Sequence, residues 1–296
     1  GKTVGYFDMH RPGGVSQDEI IRLMVGRSLE NRFPDRTPDI GEPILEIRDW
    51  TVYHPIDTER KVVDGANITL RRGEIVGLAG LMGAGRTELG MSVFGHSYGA
   101  NISGHVFKDG HEIDTSTVEK AIAHNLAYVP EDRKSLGLNL IRSVEDNVTI
   151  SALHKILHRG SIDLSKETRV ADEYVEMLGI KVPSTKSTVS SLSGGNQQKV
   201  VLAKWMYTDP EILILDEPTR GIDVGAKYEI YQIAQELAAQ GKAVLFISSE
   251  LPEILGVCDR IYTMALGRIT GEEPAAGATQ ESLMRLMTLE RKAENQ

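Results

Sequence analysis

Gly80-Leu81-Met82-Gly83-Ala84-Gly85-Arg86-Thr87 is the stretch on which the fold turns. It follows an apolar run, Ile75-Val76-Gly77-Leu78-Ala79, and leads into Glu88-Leu89, which can open a helix. Strand, glycine loop and helix in that order make a phosphate-binding loop, G-x-x-x-x-G-K-[ST]. Glycines let backbone N–H groups turn inward around phosphate oxygens, and the helix N-terminus adds positive potential. One position departs from the pattern: Arg86 stands where the lysine belongs. The exchange is not neutral, because the planar guanidinium fork demands room where an ammonium sits as a point charge.

Downstream, Ile212-Leu213-Ile214-Leu215 is a continuous apolar run, as expected of a central parallel strand covered on both faces. It ends in Asp216-Glu217. In phosphate-loop sites Mg²⁺ is held by the loop hydroxyl and such an aspartate, which assigns Thr87 and Asp216 to the metal. The next carboxylate, Glu217, is then placed to polarise an attacking water. Ahead of this strand, Ser191-Leu192-Ser193-Gly194-Gly195-Asn196-Gln197-Gln198-Lys199 opens a helix that runs through Val200 to Tyr207. Ser193, Gly194 and Gly195 at its N-terminus make a second anion-binding surface.

The remaining chain reads as an alternation of strands and helices. Ile44–Ile47 and Val62–Leu70 are strands, Gly104–Lys108 with Ile113 a surface hairpin, Glu119–Asn125 a short helix, and Leu126–Val129 a buried strand. Pro130-Glu131-Asp132-Arg133-Lys134 is a charged turn. Val144–His158 and Lys166–Leu178 are helical, with Gly179 as C-cap of the second. Gly221-Ile222-Asp223 precedes a helix to about Ala239, and Ala243–Ser248 is a buried strand followed by Ser249-Glu250 and a helix near Pro252–Leu255. Arg260–Met264 closes the core, and a helix spans Ser282–Arg291. Tyr53 and His54 lie where an aromatic could stack on an adenine; ordinary strand residues are the alternative.

Residues 1–40 read as the ending of another domain. Gly1-Lys2-Thr3-Val4-Gly5 resembles Gly267-Arg268-Ile269-Thr270-Gly271, and Gln17–Met24 resembles Gln280–Met287, in the same order and at nearly the same spacing. That is a partial internal repeat, the tail of a first copy of the domain. Arg32–Glu42, with Pro34, Pro38 and Gly41, is then the linker, and 41–296 the second domain.

Composition bounds the function. The formal charge of -9 argues against non-specific nucleic-acid binding, which needs a basic face. A single cysteine, Cys258, rules out an intrachain disulfide and fits a reducing compartment. No apolar run approaches the ~18 residues that would span a bilayer, so any work at a membrane is expected from the cytosolic side through a partner. The eight histidines form no ligand cluster with Cys258, which argues against zinc.

Gly80–Thr87, Leu192-Ser193-Gly194-Gly195, Asp216-Glu217-Pro218-Thr219 and Gly221-Ile222-Asp223, in this order, resemble the ATP-binding cassettes of ABC transporters over residues 44 to about 270. The resemblance implies an α/β fold: a RecA-like P-loop core with a mostly parallel sheet, an antiparallel β subdomain and an inserted helical subdomain at about 135–195. A C-terminal tail from about 271 to 296 follows. It implies ATP with Mg²⁺, held by Gly80, Leu81, Met82, Gly83, Ala84, Gly85, Arg86, Thr87 and Glu88, with Glu131 in the magnesium-sensing loop. Two cassettes sandwich two nucleotides, so Ser193, Gly194, Gly195 and Asp223 would serve the opposite domain's site. Glu131 stands where a glutamine is usual, and Ser249 where the switch histidine is usual. Catalysis would rest on Glu217 and Ser249, in a site weakened by Arg86, Glu131 and Ser249.

More narrowly, G-L-M-G-A-G-R-T-E-L, V-P-E-D-R-K, L-S-G-G-N-Q-Q-K and S-S-E-L-P-E are similar to the second cassette of the fused two-cassette ATPases of bacterial monosaccharide importers. That implies as partners a first cassette in the same chain, a transmembrane sugar permease facing Glu131–Lys134, and indirectly a periplasmic sugar-binding protein. It also implies a peripheral position at the cytoplasmic face of the inner membrane. The alternative is a non-hydrolytic scaffold half of the ATPase pair, in which Glu217 is dispensable.

Overall fold

The computed structural model describes residues 5, 6, 8, 15 and 32–289. Apart from those first four positions, the first copy of the repeat lies outside the described residues, as does the end of the C-terminal tail. The strands are β1 (Pro43–Tyr53), β2 (Lys61–Arg71), β3 (Ile75–Gly80), β4 (Ala100–Lys108), β5 (His111–Ile113), β6 (Leu126–Val129), β7 (Leu157–His158), β8 (Ser161–Ile162), β9 (Ile212–Asp216), β10 (Ala243–Ser248), β11 (Arg260–Ala265) and β12 (Arg268–Pro274). The helices are α1 (Arg86–Val93), α2 (Val118–Ala123), α3 (Val144–Thr149), α4 (Leu164–Met177), α5 (Gly194–Met206), α6 (Val224–Ala239), α7 (Leu251–Val257) and α8 (Gln280–Met287).

A six-stranded sheet in the order β12-β11-β3-β10-β9-β6 forms the centre. Its strands run parallel from β11 to β6, and only the edge strand β12 is antiparallel. Every residue of β3, β9 and β10 is buried, which is why these runs are apolar throughout instead of alternating. Phe246 on β10 and Leu78 on β3 are among the largest fully buried side chains, each contributing about 1.5–3 kcal/mol. The carboxyl ends of β3, β9 and β10 lie side by side, because Ile247 pairs with both Leu78 and Asp216. Here open parallel sheets form their ligand crevice.

A second, antiparallel sheet in the order β2-β1-β4-β5 carries the alternating strands on the flank. The segment between β6 and β9 is the helical part. The helix expected over 144–158 is shorter: α3 ends at Thr149, a 3₁₀ stretch with a non-helical Ala152 follows, and β7–β8 forms a hairpin. Ser143 and Asp146 build a reciprocal capping box that fixes where α3 starts. The stretch Gly267–Gly271, which resembles residues 1–5, leads into the edge strand β12, and the tail expected from about 271 begins within that strand.

Segment 32–41 is fastened to the core. Phe33 packs on Tyr231 with ring centroids 5.4 Å apart, and Pro34 accepts a hydrogen bond from Gln235. Arg36 pairs with Asp259 at 2.5 Å and donates to the Gly73 carbonyl. The ring of Phe33 also covers Gly256 in α7, where a Cβ would come within 2.1 Å of it. No helix among the described residues is long and apolar enough to cross a membrane.

Candidate functional site

The glycine loop leaves β3 and closes into α1. Gly85 has φ +105, and a Cβ on it would sit 2.4 Å from the Val62 carbonyl, so both backbone and space demand glycine. No side chain caps α1, which leaves its first N–H groups without a side-chain acceptor. Leu81 and Met82 at the loop tip are exposed, while Ala84 and Arg86 are buried. These backbone donors suit an anion.

Asp216 ends β9 in full burial. Its Oδ2 accepts a hydrogen bond from the Tyr128 hydroxyl at 2.7 Å, whereas Oδ1 is buried with no hydrogen-bond partner among the described residues. Burial pushes its carboxyl up to about 6 against the opposing pull of the Tyr128 and Thr87 hydroxyls. Glu217, the next residue, takes a left-handed φ of 44, held there by its N–H donating to the Ile247 carbonyl at 2.9 Å. Its carboxyl is raised by burial, while Arg86 and the Ser249 side chain and amide draw it back down.

Arg86 does not extend freely along the loop. Its Nη1 lies 3.3 Å from Glu217 Oε1, yet makes no directed hydrogen bond, and both side chains are buried. Burial lowers the guanidinium pKa, countered first by Glu217 and then by Asp216.

A second arginine pairs across the same space. Arg220 makes an ion pair with Glu131, and Arg133 donates to the Arg220 carbonyl at 2.9 Å. Met82, Gly83, Ala84, Gly85, Arg86, Thr87 and Glu88 thus share one cleft of about 370 Å³ with Glu131, Glu217, Arg220, Ser249 and Glu250. Tyr53 lines an adjoining groove with Gly83, Gly85, Glu88 and Gly267. His54 does not: its Nδ1 accepts from the Ile56 and Asp57 amides and shapes a turn.

Ser193, Gly194, Gly195 and Asp223 are not among the residues lining the cleft. Ser193 begins α5, and its hydroxyl accepts from Asn196 at 2.9 Å instead of capping the helix backbone. Gly194 faces Arg133 and the Gly221 carbonyl, while Gly195 abuts Ala226 of α6. Asp223 caps α6 through the Ala226 amide at 3.0 Å. Sequence reading missed Tyr128, Arg220 and Glu250. Tyr128 hid in a buried strand, and Arg220 carried a signal only in following Asp216-Glu217-Pro218-Thr219.

The family model described as ABC transporter matches residues 63–220. The L-arabinose transport ATP-binding protein AraG of Geobacillus stearothermophilus is 60% identical over 97% of this chain and 56% of its own length. The xylose import ATP-binding protein XylG of Thermoanaerobacter pseudethanolicus is 46% identical over 91% of this chain and 53% of its own length. The ribose import ATP-binding protein RbsA of Corynebacterium glutamicum is 45% identical over 95% and 52%. The chain spans about half the length of the curated relatives it matches. Among solved structures, a nucleotide-free ATP-binding cassette from an ABC transporter superposes with TM-score 0.67 at 21% identity, covering 83% of this chain and 95% of that one. A dimeric post-hydrolysis cassette bound to ADP and Pi gives 0.67 at 20% identity, over 78% and 99%.

Proposed function

The chain belongs to the ABC transporter family, and from that premise we propose that it is the second ATP-binding cassette of a fused ATPase powering monosaccharide import. The observation that carries the reading is the cleft itself, where the phosphate loop, Glu217 and Ser249 meet, with Asp216 buried at the end of β9 next to Glu217. The three relatives named for arabinose, xylose and ribose transport, each about twice as long, support the tandem arrangement, as does the partial repeat of residues 1–24. Arabinose uptake is the transport to test first.

Residues Gly80–Glu88 would cradle the phosphates and Glu131 would sense the filled site. Asp216 and Thr87 fit a magnesium ion, since Asp216 Oδ1 is buried with no hydrogen-bond partner among the described residues; the ion would neutralise charge on the phosphate oxygens. Glu217 would orient and deprotonate water, and Ser249 would hold that carboxylate in place. Ser193–Gly195 and Asp223, absent from the cleft of their own chain, would complete the site of the first cassette. A permease would dock at Glu131–Lys134 at the cytoplasmic face of the inner membrane, with a periplasmic sugar-binding protein beyond it.

A second reading, a scaffold that binds nucleotide without cleaving it, is favoured by one observation: Arg86 occupies Glu217. Steady-state ATP turnover by this chain, with Glu217→Gln as control, separates the two. Turnover lost in Glu217→Gln supports hydrolysis. Turnover no higher than the control leaves the scaffold role, in which this cassette serves its partner's site.

A further inference from the structure

Beside the cleft, at the last position of S-S-E-L-P-E and so far given no role, lies a buried carboxylate with no unused acceptor. Glu253 of α7 is 2% exposed. Its Oε1 accepts from the Thr219 hydroxyl at 2.8 Å, the Tyr231 hydroxyl at 2.7 Å and the Lys227 ammonium at 2.8 Å. Its Oε2 accepts from Thr219 at 2.8 Å and from the Ser248 hydroxyl at 2.9 Å. Lys227 further reaches Glu250, which lines the cleft, at 2.6 Å. Three hydroxyls and one ammonium converge, so the charge is solvated by fixed donors instead of water.

The partners are what give this arrangement a function. Thr219 lies two residues after Glu217, and Ser248 immediately precedes Ser249. The two segments also touch directly, through the Glu217 amide and the Ile247 carbonyl. Lys227 and Tyr231 belong to α6, the helix that Asp223 caps. One carboxylate therefore ties together the turn carrying Glu217, the strand end carrying Ser249 and the helix led by Asp223.

We propose that Glu253 is a positioning residue for the ATPase site: it fixes Thr219 and Ser248, and through them the relative placement of Glu217 and Ser249. This rests on the roles given above to Glu217 and Ser249. Glutamine replaces it poorly. Its amide keeps one acceptor oxygen; the hydroxyls can turn to accept its N–H groups, but the Lys227 ammonium cannot accept and loses a charged partner. Glu217 itself takes a left-handed backbone conformation, which persists only where the surroundings over-determine it. Glu253 supplies that restraint from behind, without touching the cleft.

The test begins with amide hydrogen exchange of the nucleotide-free chain in Glu253→Gln, and in Thr219→Val as a milder variant. Exchange over Glu217–Gly221 and Ser248–Glu250 should quicken about tenfold or more while Gly80–Thr87 is unchanged, and Thr219→Ser should restore the slow rate. No change there, or uniform quickening along the chain, overturns the proposal. In turnover, Glu253→Gln should lower kcat about tenfold or more with KM for MgATP within about twofold, and combining it with Glu217→Gln should cost nothing beyond Glu217→Gln alone. A matching rise in KM, or additive losses, overturns it as well. If the unaltered chain turns over no faster than Glu217→Gln, the hydrolytic reading fails and the exchange pattern alone decides Glu253.

Discussion

Arg86 Nη1 lies 3.3 Å from Glu217 Oε1, so the residue that breaks the phosphate-loop pattern faces the carboxylate expected to activate water. Both are buried, which makes the pair costly to abandon unless something replaces each partner. An incoming phosphate chain would offer the guanidinium that replacement. On the proposed roles, nucleotide binding and release of Glu217 would be one exchange of ionic partners.

Arg86→Lys should therefore tighten nucleotide binding. The ammonium loses the fork that spans to Glu217 and sits as a point charge for phosphate. A gain of about tenfold in affinity for MgATP, roughly 1.4 kcal/mol, is expected from a fluorescent-nucleotide titration. Unchanged or weaker binding would mean that Arg86 already serves the phosphates as well as lysine does.

The stability of the nucleotide-free chain should depend on pH through Asp216. Its carboxyl is raised from 3.8 to about 6, chiefly by burial, so the folded state holds that proton more tightly than the unfolded one. The stabilisation is complete below pH 3.8 and is lost as pH rises through about 6. Asp216→Asn, neutral throughout, should outlast the unaltered chain in urea by about 3 kcal/mol at pH 8 and show no such gain near pH 4. Equal gains at both pH values would refute it.

The two glycines of the second anion surface should separate under substitution. A Cβ at Gly195 would lie 2.5 Å from Ala226 Cβ, between two packed helices, so Gly195→Ala should cost about 1–3 kcal/mol in urea unfolding. At Gly194 a Cβ meets Arg133 Nη2 at 2.9 Å, the far end of a flexible side chain, so Gly194→Ala should stay within about 0.5 kcal/mol. If the chain is the second cassette of a fused sugar-import ATPase as proposed, Gly194→Asp in that full-length protein should abolish sugar uptake while this cassette still binds nucleotide. Normal uptake would sink the assignment of Gly194 to the opposite site.

Much of this was legible in the chain. The apolar runs of β3, β9 and β10 announce buried parallel strands because no polar face interrupts them, and the glycine loop announces what lies at their ends. Arg86 was legible as a departure but not as a partner of Glu217, since the two are distant in sequence and meet only through the pairing of β3 and β9 with β10. Glu253 was legible only as the last letter of S-S-E-L-P-E, without any sign of its partners. A glutamate on a short helix looks solvated until Thr219, Tyr231 and Ser248 are seen to converge on it. The end of α3 was missed for a local reason: Ala152 favours helix by propensity, but its backbone is bent at φ -146 as Ile156 turns into full burial.

At Gly256 the ring of Phe33 fills the volume that any side chain would need. Gly256→Ala should then evict the segment without altering it, exposing Arg32 and Arg36 to rapid tryptic cleavage; a cleavage rate unchanged from the parent would show the seat to be looser than its geometry. Once evicted, residues 33–40 would no longer be a fixed seam but a leash able to stretch to about 28 Å. One missing methyl group thus decides whether residues 33–40 lie seated against this cassette or hang from it as a loose tether.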